Sequence, residues 1–167
     1  MSRSVVATLV LVVVALGGTG CAAAPVDPDA IGDRTQLCAG RLTSDQAVAA
    51  IGAPVTGLRE LNDFPEGARI GQCTLADDNG AVLDLMVVAD PTGQELAGML
   101  RSASSTPNYD SNGDSAVAGE ADQTEAYAAV DDHSYARVLV NRSTSEERRL
   151  AALVLVRSLA EVSRSLP

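Results

Sequence analysis

Asp110, Asn112 and Asp114 alternate with the oxygen spacing of a calcium loop, Asp84 interrupts an otherwise apolar run, and His133 stands among Asp131, Asp132 and Ser134. Each pattern names a chemistry. A calcium loop needs glycine at its sixth position and glutamate at its twelfth; here the glycine is Gly113 and the glutamate is missing, so the segment reads as a solvated acidic loop. His133, the sole histidine, would be an acid–base group only if tertiary structure gave it partners, since sequence proximity is not triad geometry. Its place in a turn predicts a solvent-facing ring. Asp84 is the most suggestive carboxylate, because unpaired buried acids are rare and cluster at functional sites. The competing reading is an edge-facing or arginine-paired aspartate. On these grounds no catalytic residue, metal ligand or cofactor is assigned.

The remaining chemistry belongs to Cys21, Cys38 and Cys73. Ahead of Cys21, Arg3 precedes a run of 12 residues, Val5 to Leu16, which stops at small residues. A membrane-spanning helix needs about 20 apolar residues, so the layout is that of a cleaved export signal with its basic, apolar and small-residue regions. Ordinary signal-peptidase cleavage after Ala22-x-Ala24 is disfavoured by Pro25 directly after the cut. Gly18-Thr19-Gly20-Cys21 resembles the lipobox of bacterial lipoproteins, with Gly18 where leucine is preferred and Leu16 the nearest leucine. The resemblance implies that the Cys21 thiol receives a diacylglyceryl group and becomes the first mature residue. Two acyl chains hold a protein stably at a bilayer, where one holds it only marginally.

An odd cysteine count in an exported chain asks for an explanation of the one left over. With Cys21 lipidated, Cys38 and Cys73 remain to pair in an oxidising compartment, closing a loop that stabilises the fold by roughly 3–4 kcal/mol. The alternatives are two buried free thiols, or a metal or redox pair. Neither CxxC spacing nor a nearby histidine supports the latter.

Composition narrows the partners. The formal net charge is −10, and loss of Arg3 with the leader makes the mature chain one unit more negative. A cationic nucleic-acid-binding face is therefore excluded, and anionic bilayers repel the domain. Partners reduce to the membrane, reached through lipid on Cys21, and a small apolar ligand or an envelope protein. Every basic residue is arginine, and with aromatics at 2% and no tryptophan the stacking platforms of sugar- and base-binding modules are missing. Asn141-Arg142-Ser143 matches a glycosylation sequon, which carries no weight at a strand end in a bacterial chain.

These residues must be positioned by one domain. Residues 1–20 form the lipoprotein signal, 21–33 an acidic, proline-interrupted tether reaching roughly 35–40 Å if extended, and 34–167 a single α+β domain. Thr43-Ser44-Asp45-Gln46 is a capping box opening a short helix that stops at Gly52. Strands are expected over 56–62, 68–76 and 81–89, the last two joined by an Asn79-Gly80 hairpin. Both faces of the third are largely apolar, suiting a central covered strand. Asp90-Pro91, Thr92 and Glu95 signal a helix with Leu96, Met99, Leu100 and Ala103 on one face. Residues 102–115 read as a polar loop. Strands over 115–120, 124–130 and 135–141 follow, and Thr144 to Glu147 cap a long helix to about Arg164. Its apolar stripe runs through Ala152, Leu155, Val156, Leu159 and Val162, widened by Leu150, Leu153 and Val154, with Arg148 and Arg149 on the wet face. The order α-β-β-β-α-β-β-β-α predicts an antiparallel sheet covered by helices.

The lipobox, the acidic tether, Cys38 ahead of a short helix ending in Gly52, and Cys73 before a hydrophobic hairpin together resemble small actinobacterial lipoproteins of a domain-of-unknown-function family, over residues 21–90. An aromatic residue often follows the second cysteine there, where this chain has Thr74-Leu75. The resemblance implies a disulfide-stapled domain on the outer face of the bacterial cytoplasmic membrane, without an assigned reaction. The expected function is a non-catalytic binding or accessory module of the cell envelope. The alternatives are a carboxylate-dependent envelope enzyme built on Asp84 and a purely structural, protein-interacting lipoprotein.

Overall fold

Thr43 starts the first helix, α1 (Ser44–Ile51), by a reciprocal capping box: its Oγ1 accepts the Gln46 N–H at 3.2 Å, and Gln46 Oε1 accepts the Thr43 N–H at 2.8 Å. Gly52 ends the helix at φ +75°, a left-handed conformation that costs glycine nothing, and donates to the Val48 carbonyl at 2.7 Å. The computed structural model describes residues 34–55, 57–106, 108–112, 114–120, 122–142 and 145–167. The signal 1–20, the tether 21–33, Cys21 and the sequon serine Ser143 lie outside the described residues.

The fold is α+β. A two-stranded hairpin of β1 (Gln36–Leu37) and β2 (Leu42–Thr43) precedes α1. Then come β3 (Arg59–Asn62), β4 (Gly71–Asp77), β5 (Gly80–Ala89), α2 (Gln94–Ala103), β6 (Asp110–Asn112), β7 (Ser115–Glu120), β8 (Gln123–Asp131), β9 (Ser134–Val140) and α3 (Glu146–Arg164). The seven strands β3 to β9 form one sheet in the order β3-β4-β5-β9-β8-β7-β6, antiparallel throughout. Two meanders, β3-β4-β5 and β6-β7-β8-β9, thus join edge to edge at the β5–β9 pair.

The β4–β5 hairpin forms as expected, with the turn one residue earlier than the Asn-Gly pair. Asp77 pairs with Gly80, so Asp78 and Asn79 are its central residues. The pairing slips by one at Leu75/Ala76, a bulge that places Val82 in the core beside Leu83. β5 is central, but only one of its faces is sealed; Asp84, Met86 and Val88, on the other, are half-buried.

Helices α1 and α3 cover one face of the sheet, with α3 laid across β7, β8 and β9 and against α1. Between them Leu83, Leu85, Val138, Leu155, Val156 and Leu159 form the core. Cys38 and Cys73 form a disulfide within it, Cα atoms 5.6 Å apart. Ser145 caps α3 by accepting the Arg148 N–H at 3.2 Å, and Glu146 and Glu147 occupy its first turn.

Four expectations need correction. The first strand begins at Arg59 rather than residue 56, since Leu58 N–H closes a turn onto the Val55 carbonyl and Gly57 has φ +81°. The segment read as a polar loop over 102–115 contains β6, whose pairing with β7 is made by backbone groups that no side-chain pattern reports. Leu150 and Val154 do not widen the apolar stripe of α3; they are 52% and 61% exposed, because they share a side roughly opposite Leu155 and Leu159 on a helix of 3.6 residues per turn. Arg148 is not simply wet: its Nη2 reaches the Ile51 carbonyl at 3.3 Å and ties α3 to the end of α1.

Candidate functional site

The alternation of β8 sorts its side chains onto two faces. Thr124, Ala126, Ala128 and Val130 point into the α1–α3 core, while Gln123, Glu125 and Tyr127 point to the opposite face. Glu125 collects three donors there. Its Oε1 accepts Arg137 Nη2 from β9 at 2.6 Å and Gln123 Nε2 at 3.1 Å, and its Oε2 accepts the Tyr127 hydroxyl. Burial, reinforced by the neighbouring Glu125 carboxylate, pushes the Tyr127 phenol well above its usual range, so the hydroxyl stays protonated and donates. Burial works to lower Arg137, but the hydrogen bond and charge of Glu125 outweigh it and raise the guanidinium. The Arg137 Nε is buried with no hydrogen-bond partner among the described residues.

Helix α2 roofs this half of the face. Its N-terminus is set by Asp90, whose Oδ2 accepts the Leu96 N–H at 2.9 Å, while Gly93, at the cap position, offers no side chain. That hydrogen bond holds the Asp90 carboxyl below the usual carboxylate range against the opposing effect of burial. Glu95 marks the helix start as the sequence predicts, lying in the first turn of α2, and its side chain reaches across to accept the Tyr135 hydroxyl at 3.0 Å; burial with this contact lifts Tyr135 to about 12. Leu96, Met99 and Leu100 pack with Ala103 onto Ala118 and Tyr127.

Between roof and sheet lies a cavity of about 290 Å³, lined by Met99, Ser102, Ala103, Thr106, Ala118, Gly119, Gln123, Glu125 and Tyr127. Its apolar wall comes from α2 and β7 and its polar wall from β8. A larger hollow of about 460 Å³ between the end of α1 and the start of α3 is a surface groove, since all its lining residues except Arg148 are exposed. The α2 cavity is the better candidate, because it joins buried apolar side chains to a few convergent polar groups.

The residues singled out from sequence lie elsewhere. Asp84 is half-buried on the open part of the same face, where its Oδ1 accepts the Thr74 hydroxyl from the adjacent strand; it lines none of the three described cavities. His133 sits in an exposed turn, its N–H donating to Asp131 Oδ1 at 2.8 Å and its carbonyl accepting the Asp90 N–H at 2.7 Å. Asp110 and Asn112 lie on the extended strand β6, and Asp114 pairs with Arg164 at 3.2 Å. Arg149, half-buried, lines a small hollow of about 120 Å³ with Tyr109, Asp110 and Leu150.

Two buried charged residues had no sequence signal. Glu60, 6% exposed, accepts the Cys38 N–H at 2.7 Å and pairs with Arg34 at 3.2 Å. Its carboxylate and the two sulfurs lie within 4.8 Å of one another, a grouping of metal-ligand types whose sulfurs are taken up by the disulfide. Arg41, 4% exposed, stacks on Phe64 at 3.9 Å and donates to Ser163 Oγ and the Ala68 carbonyl. Both fasten the N-terminal hairpin to the rest of the domain. The polar wall did have a signal, the period-two spacing of Gln123, Glu125 and Tyr127 in a strand otherwise built of small and apolar residues. Comparison with known proteins finds no matching family, no matching curated protein and no matching solved structure.

Proposed function

We propose that this chain is a lipid-tethered binding module of the bacterial cell envelope, held by acyl chains on Cys21 to the outer face of the cytoplasmic membrane, and that it captures a small ligand beneath α2. The observation that carries the binding reading is the half-roofed cavity, where Met99, Ala103 and Ala118 face Gln123, Glu125 and Tyr127. The anchoring rests on the 12-residue apolar run and the lipobox at Cys21. The domain's negative charge leaves the lipid as the sole source of membrane affinity. The resemblance to small actinobacterial lipoproteins belongs to the same reading.

Native mass spectrometry of the protein extracted from its own membrane tests it. The expected mass begins at Cys21, carries acyl chains, lacks two hydrogens for the Cys38–Cys73 bond and includes a retained small molecule. Cys21→Ala should move the protein out of the membrane fraction. A bare Cys21 in native material would overturn the anchor, and a domain that never retains or takes up a small molecule would overturn the binding role.

A further inference from the structure

The donor and acceptor inventory of the cavity's polar wall selects the head group of its ligand. Glu125 engages the Tyr127 hydroxyl hydrogen through Oε2, and one Gln123 amide hydrogen and the Arg137 Nη2 through Oε1. The strand wall still presents lone pairs on the Tyr127 phenol oxygen, the Gln123 side-chain carbonyl and the remaining acceptor position of Glu125, beside one free amide hydrogen of Gln123, and the roof adds the Ser102 and Thr106 hydroxyls, which donate or accept. A carboxylate or phosphate head brings only acceptors and would lie against the Glu125 carboxylate, with no cationic side chain among the described lining residues. An alcohol brings one donor. A primary ammonium brings three donors and no acceptor, and among the described residues that line the space Glu125 is the one that is formally charged. The overall charge of −10 further favours a cationic ligand over an anionic one.

We propose that the cavity beneath α2 takes a small primary amine, its ammonium on Glu125, Gln123 and Tyr127 and its short apolar tail against Met99, Ala103 and Ala118. This inference rests on the reading of the cavity as the binding site and adds the chemical class of the ligand. The roof helix supplies apolar contact; the strand supplies the discrimination.

Isothermal titration calorimetry of the full chain with n-butylammonium, butan-1-ol and butyrate tests it. Butylammonium should bind one to one, about tenfold or more tighter than butan-1-ol, with no heat from butyrate. Ala118→Phe, which fills the space from β7, should abolish binding of butylammonium. Glu125→Gln should weaken butylammonium about tenfold or more and leave butan-1-ol within about twofold. Glu125 also holds Tyr127 and Arg137, so circular dichroism checks each variant, and the three probes on the unaltered chain decide the head group on their own. Butyrate binding as tightly as butylammonium overturns the ammonium assignment and leaves the cavity a binding site. If none of the three probes binds, the cavity reading falls and this inference with it.

Discussion

On the α1–α3 face of the sheet, Leu85, Val138, Leu155 and Leu159 are at most 1% exposed and meet other apolar side chains. On the α2 face, among the described residues, the buried apolar cluster is Ala103, Ala118 and Tyr127 with half-buried Leu96, Met99 and Leu100 against it, and polar contacts add to the fastening of the roof: Glu95 to Tyr135 and Asp90 to the Leu96 N–H. A dry, densely filled face resists any local change, because a void left by one side chain has no atoms to fill it. A face closed by a few polar ties and a small apolar cluster opens at low cost and leaves room for a guest. On the proposed reading, one sheet serves two purposes, with stability held on one side and binding on the other.

Cutting the staple on the dry side should have the largest effect. Cys38→Ala with Cys73→Ala is expected to cost about 3–4 kcal/mol, read from the denaturant midpoint, because the unfolded chain regains the freedom of a long loop. An effect below about 1 kcal/mol would show that the buried sulfurs add little beyond packing. Next, Leu85→Ala is expected to cost about 3 kcal/mol through lost burial and the cavity left behind. Leu100→Ala, the same change on the half-buried roof, should cost no more than about 1 kcal/mol. Equal losses would abolish the contrast between the faces.

The polar ties of the roof give smaller, local effects. Tyr135→Phe should cost about 1 kcal/mol and speed hydrogen exchange of α2 amides without altering those of α3. These ties also respond to pH in opposite directions. Tyr135 is raised to about 12 from an unfolded value near 10, so its contribution is complete below pH ~10 and is lost as pH rises toward 12. Asp90 is lowered, so its contribution is present above the ordinary aspartate value near 4 and fades as pH falls through its lower folded value. Exchange of α2 amides should therefore accelerate at both extremes, and a flat profile would show that neither group holds the helix. Smallest of all, Val154→Ser on the outer side of α3 should change stability by no more than about 0.5 kcal/mol.

What could be read from the residues was local. The capping box at Thr43, the stop at Gly52, the hairpin around Asn79 and the stripe of Ala152, Leu155, Val156 and Leu159 on α3 all depend on neighbours within four positions, and each is found in place, while the cap of α3, read over Thr144 to Glu147, is made by Ser145. The pairing of Cys38 with Cys73 was also within reach, because reading Cys21 as the lipidated cysteine leaves each of the other two a single partner. Three features were not legible: the short edge strand β6, the burial of Glu60 and Arg41, and the outward turn of Leu150 and Val154. A backbone ladder leaves no mark on side-chain types, and a charge is buried only where distant chain segments supply its partners.

The amino-acid order by itself determined the α+β class, the presence of the helices and the β4–β5 hairpin to within a residue or two of their ends, and the chemistry available to each strand, since these follow from propensities and spacings along the chain. Only the tertiary structure decided which strand faces meet which helices. That choice places Glu125, Gln123 and Tyr127 of β8 beneath Met99 and Ala103 of α2, residues about twenty or more positions apart. The physical reason is that a strand's alternation fixes two faces but not what covers them. The cover is chosen by the β5–β9 pairing that joins the two meanders, and by the long helix α3, which with α1 seals one side and leaves the other to a short, lightly held roof.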